Sequence, residues 1–397
     1  MTGRYGKSEY KAVPKQKVII IGGGASGLML KNLLPSSLLI EKNSQCGLKL
    51  LITGNGACNI THNEDIRSFI THYQGKRNFV APAIYSFSPE RIRSFFSSLG
   101  VGTYIRDDGK VFPSSMRSAD IRNALLGSGE GILSGTAVIS VGKEGDIFTV
   151  ETDKGTFTSD ILVISTGGKT YPKTGSTGDG YTFASSFGHT IVPTHPSLAP
   201  LKLDADTAEV EGVSLDSVTL KAGKEKRTGP VVFTRRGLGG PAAENISHFL
   251  PHRAELTISF LPSFESDDIK KENGKAGVLT SLHRITKLPS SLLEYLFPAL
   301  GKKNTASVTK DEMRIIEEKL TGWKVKAEAD SSPERAMITS GGVDTAEVRA
   351  KTMESKKVEN LYFTGEVLDV DGECGGYNLT FAFASAYLAA EDIRKRI

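Results

Sequence analysis

Short, uninterrupted apolar runs separated by glycine-rich corners mark the first part of the chain. Residues 18–21 are all apolar, as in a strand that is buried on both faces of a parallel sheet. A helical pattern follows over residues 25–34, and a second apolar run covers residues 38–40. This order predicts a strand, a helix and a second strand of an α/β sheet.

Alternation between apolar and polar positions appears later in the chain. Residues 136–168 predict a meander of three short antiparallel strands with turns at EGD and DKG, followed by an apolar strand at 161–164. Near the end, an apolar strand at 361–363 and a glycine corner precede a helix of about 17 residues. Between these regions, AELTISFLP and VSLDSVTLKAG are typical of strands, and KDEMRIIEEKL is typical of a helix.

The corner after the first strand has the spacing of a dinucleotide-binding turn. Gly22, Gly24 and Gly27 form the G-x-G-x-x-G pattern, and Glu41 follows the second strand. Gly22 permits a tight turn, Gly24 lets the backbone approach a pyrophosphate, and Gly27 lets the helix pack on the strand. The helix N-terminus offers N–H groups to phosphates, and an acid at Glu41 is suited to a ribose diol. The alternative is a glycine-rich turn with an incidental acid.

A second glycine-rich stretch favours FAD over NAD as the dinucleotide. Residues 46–61 read CGLKLLITGNGACNIT, where a simple NAD-binding domain usually continues with a regular helix. The stretch offers backbone N–H groups and the small side chains of Thr53, Asn55 and Asn59 to a cofactor. A surface loop is the alternative interpretation of this stretch.

The meander ends in a third corner. The apolar strand at 161–164 leads into Thr166, Gly167 and Gly168. In FAD proteins of the glutathione-reductase type, a meander and strand followed by such a corner return the chain to the cofactor. Val138, in the meander, would then lie near the adenine through its backbone.

The late corner supplies the other half of an FAD site. The strand at 361–363 is followed by Gly365 and Glu366, which would place a carboxylate near the ribityl chain. Gly375 and Gly376 then open the last helix, whose N-terminal dipole would stabilise negative charge on a reduced flavin ring. FAD is long and bent, so both ends of the chain are expected to converge on it. A buried terminal helix after a flexible hinge is the alternative.

Composition places the chain among globular proteins without a disulfide framework. The net charge of +4 is mild, so it permits an anionic partner without demanding one. Cys46, Cys58 and Cys374 form no CxxC pair and no zinc spacing, which predicts no metal site and fits a reducing compartment. The N-terminal residues lack the apolar segment of a signal peptide, and we find no run of about 18 apolar residues. We therefore expect a cytoplasmic protein with no membrane span.

Eight motifs in this order resemble the BaiN/RdsA family of flavoproteins, also called the aminoacetone-oxidase family of FAD-binding enzymes. The resemblance covers nearly the whole chain. One departure is Ala57, where the family usually has arginine before the cysteine, so a contact made by that arginine is in doubt here. The motifs are GGGASG (22–27), GNGACNIT (54–61), GKVFPSS (109–115), YPKTGSTGDGY (171–181), HPSLAPL (195–201), FTRRGLGGPA (233–242), TSGGV (339–343) and DGECGGYNL (371–379).

The resemblance implies an α/β fold with a glutathione-reductase-type, Rossmann-like FAD domain. This domain is discontinuous, from 1–193 and 335–397, and 194–334 forms an inserted β-barrel with a small helical part. Together with the corners above, the resemblance assigns a set of residues to FAD. They are Gly22, Gly24, Ala25, Ser26, Gly27, Glu41, Lys42, Lys49, Thr53, Gly54, Gly56, Asn59, Val138, Thr166, Gly167, Gly168, Gly365, Glu366, Gly375, Gly376, Tyr377, Asn378 and Leu379.

The predicted chemistry is that of a flavin, with the protein supplying position and electrostatics. Cys374 precedes the late corner and is our candidate proton donor, with Tyr377 as the alternative donor. A buried, inert cysteine and a packed aromatic ring are the competing interpretations. No second G-x-G-x-x-G lies in a strand–helix setting, so NAD(P)H is expected only as a transient electron donor. A reduced protein partner or the substrate itself are the other sources of electrons.

Members of the resembled family are associated with amines, bile acids and uridine of ribosomal RNA. The leading hypothesis is a reductase that forms dihydrouridine in large-subunit ribosomal RNA. The alternatives are an oxidase of small, aminoacetone-like amines that releases hydrogen peroxide, and a non-catalytic flavoprotein. The basic run 221–227 and Arg235-Arg236 favour RNA only weakly, because 194–334 holds as many acidic as basic residues. The sequence does not determine the oligomeric state.

Overall fold

A computed structural model describes residues 15–250, 252–272 and 274–397. The chain forms two compact units, one from the described residues up to His195 together with Ile338–Ile397, the other from Pro196–Met337. The functional domain limits inferred above, 1–193 with 335–397 and 194–334, stay a prediction.

A seven-stranded mixed sheet organises the first unit. Five strands run parallel at its centre, and two antiparallel strands extend one side. The apolar run at 18–21 forms its buried central strand, as predicted. In spatial order the strands are Ile132–Leu133, Leu38–Ile40, Gln16–Ile21, Gly155–Ile164, Ile147–Thr152 and Val138–Glu144, with Leu361–Phe363 also paired to Gly155–Ile164.

The third strand of the meander and the predicted strand at 161–164 are one continuous strand, Gly155–Ile164. No glycine or proline interrupts this segment after Gly155, so the chain has no reason to break. Its first half pairs antiparallel with Ile147–Thr152, and its second half pairs parallel with Leu361–Phe363. The separate strand expected from the sequence was therefore wrong, although the chain does lead from it into Thr166 and Gly167 as expected.

The register aligns the carboxyl ends of four parallel strands. Ile21 pairs with both Ile40 and Ile164, and Ile164 also pairs with Phe363. Every one of these strands leads directly into a segment that the sequence assigned to the cofactor. The carboxyl edge of a parallel sheet is where α/β folds bind ligands, so the fold brings the predicted corners to one place.

Helices cover the sheet, and the last one is the most deeply buried. Tyr377–Ile393 packs against Ala25–Leu33 and Arg77–Ser86 through a nearly continuous apolar surface. A small sheet of Thr61–His62, Lys110–Pro113 and Thr103–Ile105 lies elsewhere in this unit, and Ile191–Ser197 pairs with Ile338–Val343. The other helices are Leu48–Ile52, Ile66–Ile70, Pro89–Ser98, Ser118–Leu126 and Asp179–Ser186.

The second unit is a closed barrel with a helical part, which confirms the inserted architecture expected from the resemblance. Its core is separate and contains residues such as Val218, Leu220 and Leu256. No helix in the described parts of the chain is long and apolar enough to cross a membrane. The barrel strands in order are Leu201–Leu203, Gly237–Gly239, Glu225–Thr234, Ser214–Ala222, Ala254–Ser259 and Trp323–Ala329. The helices are Pro241–Ser247, Asp267–Lys270, Val278–Thr286, Ser290–Leu296 and Lys310–Gly322.

Candidate cofactor site and active site

The first glycine corner is a tight turn against which the following helix packs closely. Gly22 has φ +102°, and a Cβ there would lie 2.6 Å from the carbonyl oxygen of Ser165. A Cβ on Gly27 would lie 1.8 Å from the carbonyl oxygen of Gly22, so the helix packs on the turn only with glycine at 27. A Cβ on Gly24 would meet no atom within 4 Å. The turn is therefore closed at Gly22 and Gly27 and open at Gly24.

The helix that starts at this corner leaves its N–H groups available. Gly24 is its N-cap and provides no side-chain cap, and Ala25 and Ser26 form the first turn. Ser26 Oγ donates to the carbonyl oxygen of Thr364, which ties this turn to the late corner. Open space at Gly24 beside uncapped N–H groups fits a bound pyrophosphate.

Glu41 is held firmly at the end of the second strand. Its carboxylate accepts the N–H of Gly23 at 2.7 Å, and the backbone N–H and side-chain amide of Asn43 at 2.8 and 2.9 Å. A carboxylate offers about four acceptor positions, so one stays available for a ribose hydroxyl. The carbonyl oxygen of Glu41 accepts the N–H of Thr136, which brings the strand beginning at Val138 beside it.

Two buried polar atoms at the middle corners have no hydrogen-bond partner among the described residues. They are Asn59 Oδ1 and Thr166 Oγ1. An unsatisfied buried polar atom costs about 1–3 kcal/mol, so such atoms normally have a partner. Both belong to stretches that the sequence assigned to FAD, and the polar groups of that cofactor would satisfy them. These orphaned atoms are the clearest sign that the residues fit the cofactor.

The stretch at 53–56 is a tight 3₁₀ turn, Thr53–Gly56. Thr53 Oγ1 donates to the carbonyl oxygen of Leu50 at 2.7 Å, which anchors the turn. Gly54 and Gly56 both have positive φ and present backbone in place of side chains. Ala57, where the family usually has arginine, follows the turn as its C-cap and brings no charge to it.

Glu366 joins the early and late parts of the chain. Lys49 Nζ donates to Glu366 Oε2 at 2.8 Å and to Thr170 Oγ1 at 2.8 Å. The N–H of Thr339 donates to Glu366 Oε1 at 2.8 Å. This network fixes the carboxylate at the end of the 361–363 strand, the position that the sequence gave to the ribityl contact.

The remaining predicted residues pack against the corners. A Cβ on Gly168 would lie 2.4 Å from Thr339 Oγ1, which explains the need for glycine after Gly167. Lys42 Nζ pairs with Asp179 Oδ2 at 2.7 Å. The Gly365 N–H donates to Ser385 Oγ on the last helix at 3.0 Å.

The late glycine corner packs directly on the second motif. A Cβ on Gly376 would lie 2.7 Å from the carbonyl carbon of Thr61. The Asn378 side chain accepts the N–H of Gly372 and donates to its carbonyl oxygen, both at 2.8 Å, and so closes the loop. Gly376 caps the helix without a side chain, and half-buried Leu379 packs on the core. The N–H groups of this helix are thus free of side-chain caps, as a flavin ring would need.

Tyr377 is buried and already engaged. Its hydroxyl donates to Glu64 Oε1 at 2.6 Å, and its ring stacks on His72 with centroids 4.2 Å apart. Burial and the neighbouring Glu64 raise the pKa of Tyr377 far above its ordinary value.

Cys374 is half-buried and forms no disulfide. Cys46 and Cys58 are buried, and burial raises the pKa of both thiols to about 12, whereas Cys374 is the more exposed of the three cysteines. The catalytic roles of Cys374 and Tyr377 stay predictions.

Three residues at the late corner, His72, Glu64 and Glu373, were missed by the sequence analysis. His72 Nδ1 lies 2.8 Å from Glu373 Oε2, and His72 Nε2 lies 3.5 Å from Glu64 Oε2. Burial opposes the charged imidazole, but the two carboxylates outweigh it and raise the pKa of His72. His72 and Glu373 are 301 positions apart, so no local spacing could have revealed the pair.

The sheet, the converging glycine corners and the inserted barrel define an FAD-binding oxidoreductase. A profile of the family described as "HI0933-like protein Rossmann domain" matches residues 16–392. The chain belongs to this family and is an FAD-dependent oxidoreductase.

Two relatives are similar over nearly their whole length. The chain is 31% identical to a ribosomal RNA dihydrouridine synthase of Escherichia coli, over 94% of this chain and 97% of the relative. It is also 31% identical to a 3-dehydro-bile acid delta(4,6)-reductase of Clostridium scindens, over 96% and 99% of the two chains.

Solved structures show the same fold. The 3-ketosteroid delta1-dehydrogenase of Sterolibacterium denitrificans superposes with a TM-score of 0.53 at 12% identity, over 97% of this chain and 100% of the other. A flavocytochrome c3 fumarate reductase gives a TM-score of 0.52 at 16% identity, over 97% and 79%.

Proposed function

We propose that this FAD-dependent oxidoreductase reduces uridine to dihydrouridine in ribosomal RNA, with the large-subunit RNA as substrate. The observation that carries the proposal is the 31% identity to the Escherichia coli ribosomal RNA dihydrouridine synthase, which extends over 94% of this chain. A second relative of that name, from Haemophilus influenzae, is 30% identical over 95% of this chain. An RNA substrate of this kind would also place the enzyme in the cytoplasm.

The reaction adds two electrons and two protons across the C5=C6 bond of uracil, as one hydride and one proton. FAD, when bound, supplies the two-electron redox chemistry. The protein holds the cofactor through the first corner, Glu41 and the Lys49–Glu366 pair, and it supplies a proton to the substrate carbon. The hydroxyl of Tyr377 donates its hydrogen bond to Glu64. We therefore assign the thiol of Cys374 as the donor of the proton that the substrate carbon receives.

A nicotinamide cofactor is the proposed source of electrons. One NAD(P)H and one proton then balance each uridine reduced, with NAD(P)⁺ and dihydrouridine as products. Because the sequence holds no second dinucleotide motif in a strand–helix setting, NAD(P)H would bind transiently and leave.

The test uses the FAD-loaded protein, NADPH or dithionite as reductant, and an unmodified transcript of large-subunit ribosomal RNA without oxygen. Nucleoside mass spectrometry should show dihydrouridine at a defined site, and a strain that lacks the gene should lose the same modification. If the flavin is reduced but the RNA stays unmodified, and the deletion strain keeps its dihydrouridine, the proposal is wrong.

Reduction of an unsaturated small molecule is the second candidate. The observation that favours it is the equal identity to the bile acid reductase of Clostridium scindens. Its test is oxidation of the reduced flavin by an unsaturated 3-keto steroid. The amine oxidase expected as an alternative is checked by hydrogen peroxide release when an amine is added in air.

A further inference from the structure

A positively charged cleft lies on the barrel of the second unit, and the proposed redox reaction has no use for it. Its volume is about 390 Å³. Five of its lining side chains are cationic, against three carboxylates, so the lining carries a net charge of +2. The cations are Lys202, Arg235, Arg236, Arg253 and Lys326.

Arg235 and Arg236 lie in a hairpin turn where the fold itself does not require arginine. Thr234 pairs with Gly237, so the two arginines are the central residues of a two-residue hairpin turn. Such turns favour asparagine and glycine. The carbonyl oxygen of Arg236 accepts the N–H of Leu203 at 2.9 Å, which fixes the turn against the neighbouring strand. Both side chains are exposed, and neither forms an ion pair within the described parts of the chain.

Two of the three carboxylates in the cleft are engaged by backbone. Asp204 Oδ1 accepts the N–H of Lys326 at 3.0 Å, and Asp206 Oδ1 accepts the N–H of Ala208 at 3.1 Å. Arg253 lies 3.8 Å from Asp204, a distance that leaves most of its hydrogen-bonding capacity free. Glu328 is the remaining carboxylate and would oppose an anion.

Lys202 contributes less than the arginines, because its Nζ pairs with Asp330 Oδ1 at 3.1 Å. The guanidinium groups of Arg235 and Arg236, which form no ion pair in the described parts of the chain, are available as hydrogen-bond donors to an anion, with Arg253 beside them. Arginine presents a planar fork that matches two oxygens of a phosphate.

We infer that this cleft binds the phosphodiester backbone of the RNA substrate. The inference rests on the proposed function for the identity of the nucleic acid. Apart from Leu203 and Ala205, the lining is arginine, lysine and carboxylate, and it contains no aromatic ring on which a base or nicotinamide would stack. Contacts to phosphate position a nucleic acid without reading its sequence. The barrel thus supplies affinity and register, and selection of the target uridine is left to the flavin domain.

The test measures binding of the FAD-loaded enzyme to a labelled ribosomal RNA transcript by fluorescence anisotropy, from about 50 to 200 mM salt. The double variant Arg235→Ala/Arg236→Ala should bind about tenfold more weakly. Its slope of log affinity against log salt should fall by about 1.4 to 1.8, as expected for two lost phosphate contacts. Glu328→Gln should tighten binding, because it removes an opposing charge.

The matched control is Lys302→Ala/Lys310→Ala, which removes the same charge from two exposed positions of the second unit outside the cleft and outside the basic run 221–227. It should leave both the affinity and the salt slope nearly unchanged. FAD content and reduction of the flavin should be normal in all variants. The inference is overturned if the arginine variant binds like wild type, or if the lysine control loses as much affinity as the arginine variant.

These results separate the inference from the proposed function. Arginine-dependent RNA binding by an enzyme that forms no dihydrouridine would support the cleft and reject the reaction. If the arginine variant forms dihydrouridine as efficiently as the wild type at low enzyme concentration, the result would support the reaction and reject the cleft as an RNA-binding site.

Discussion

The hydroxyl of Tyr377 donates a 2.6 Å hydrogen bond to the carboxylate of Glu64, across 313 positions of sequence. The bond joins the first turn of the last helix to the segment that follows the second glycine motif. It also commits the hydroxyl of Tyr377, one of the two candidate proton donors, to a carboxylate.

Removal of this bond tests whether Tyr377 positions the corner or transfers a proton. Tyr377→Phe keeps the ring stacked on His72 but leaves Glu64 without its phenol donor. We expect a loss of about 1–3 kcal/mol in the free energy of unfolding and only a modest change in turnover. Chemical denaturation and single-turnover kinetics measure the two effects. A fall of about a hundredfold or more in the chemical step would assign the proton to Tyr377 instead.

Cys374 is expected to behave differently. Cys374→Ala should leave FAD content and flavin reduction intact while the rate of dihydrouridine formation falls by about 10²–10⁴. Cys46→Ala is the matched control, since burial raises the pKa of its thiol to about 12 and no reaction step is assigned to it. Equal activity of the Cys374 variant and the wild type would leave the cysteine without a catalytic role.

The His72–Glu373 pair predicts a dependence of stability on pH. The folded-state pKa of His72 is raised, so its contribution is fully present below the unfolded value of about 6.5 and is lost as pH rises through the folded value. The difference in melting temperature between wild type and His72→Gln should therefore be largest in mild acid and shrink as the pH increases. Glu64 and Glu373 both face this imidazole, so Glu373→Gln should move the transition to lower pH. A difference that grows with pH would contradict the assignment.

Substitutions of two glycines in the first corner should differ in effect, one lowering the FAD content and the other the stability of the apoprotein. Gly24→Val adds a side chain to open space, so the apoprotein should keep its stability while the FAD content drops sharply. Gly27→Ala drives a Cβ into the carbonyl oxygen of Gly22 and should cost about 1–3 kcal/mol or more without FAD present. Denaturation of the apoproteins and flavin absorbance of the purified proteins distinguish the two. Normal FAD content in the Gly24 variant would show that the pyrophosphate does not bind at this corner.

Most of the flavin domain could be predicted because its signals are local. The strand at 38–40, the strand at 361–363 and the helix after Gly376 lie where apolar runs and glycine corners placed them. The error at Gly155–Ile164 has a physical reason as well. One strand can serve two partners along its length, and hydrophobic pattern does not record which neighbour a strand has.

The acidic cluster around His72 could not be predicted from spacing. Glu64 and His72 lie in a polar stretch between two motifs, and their partners come from the other end of the chain. The contacts to Glu373 and Tyr377 form where the late corner packs on Thr61. Side chains that meet through tertiary packing leave no periodic trace in the sequence.

The strand Gly155–Ile164 has a consequence for how the enzyme is made. Its second half is bordered by Leu361–Phe363, nearly 200 residues later in the chain. During synthesis this edge of the sheet stays uncovered until Leu361–Phe363 has left the ribosome. Pairing across such a separation is slow, because a long loop must close before the contact is rewarded. The predicted flavin site therefore stays incomplete until the segment that carries Gly365, Glu366 and the late glycine corner has been made.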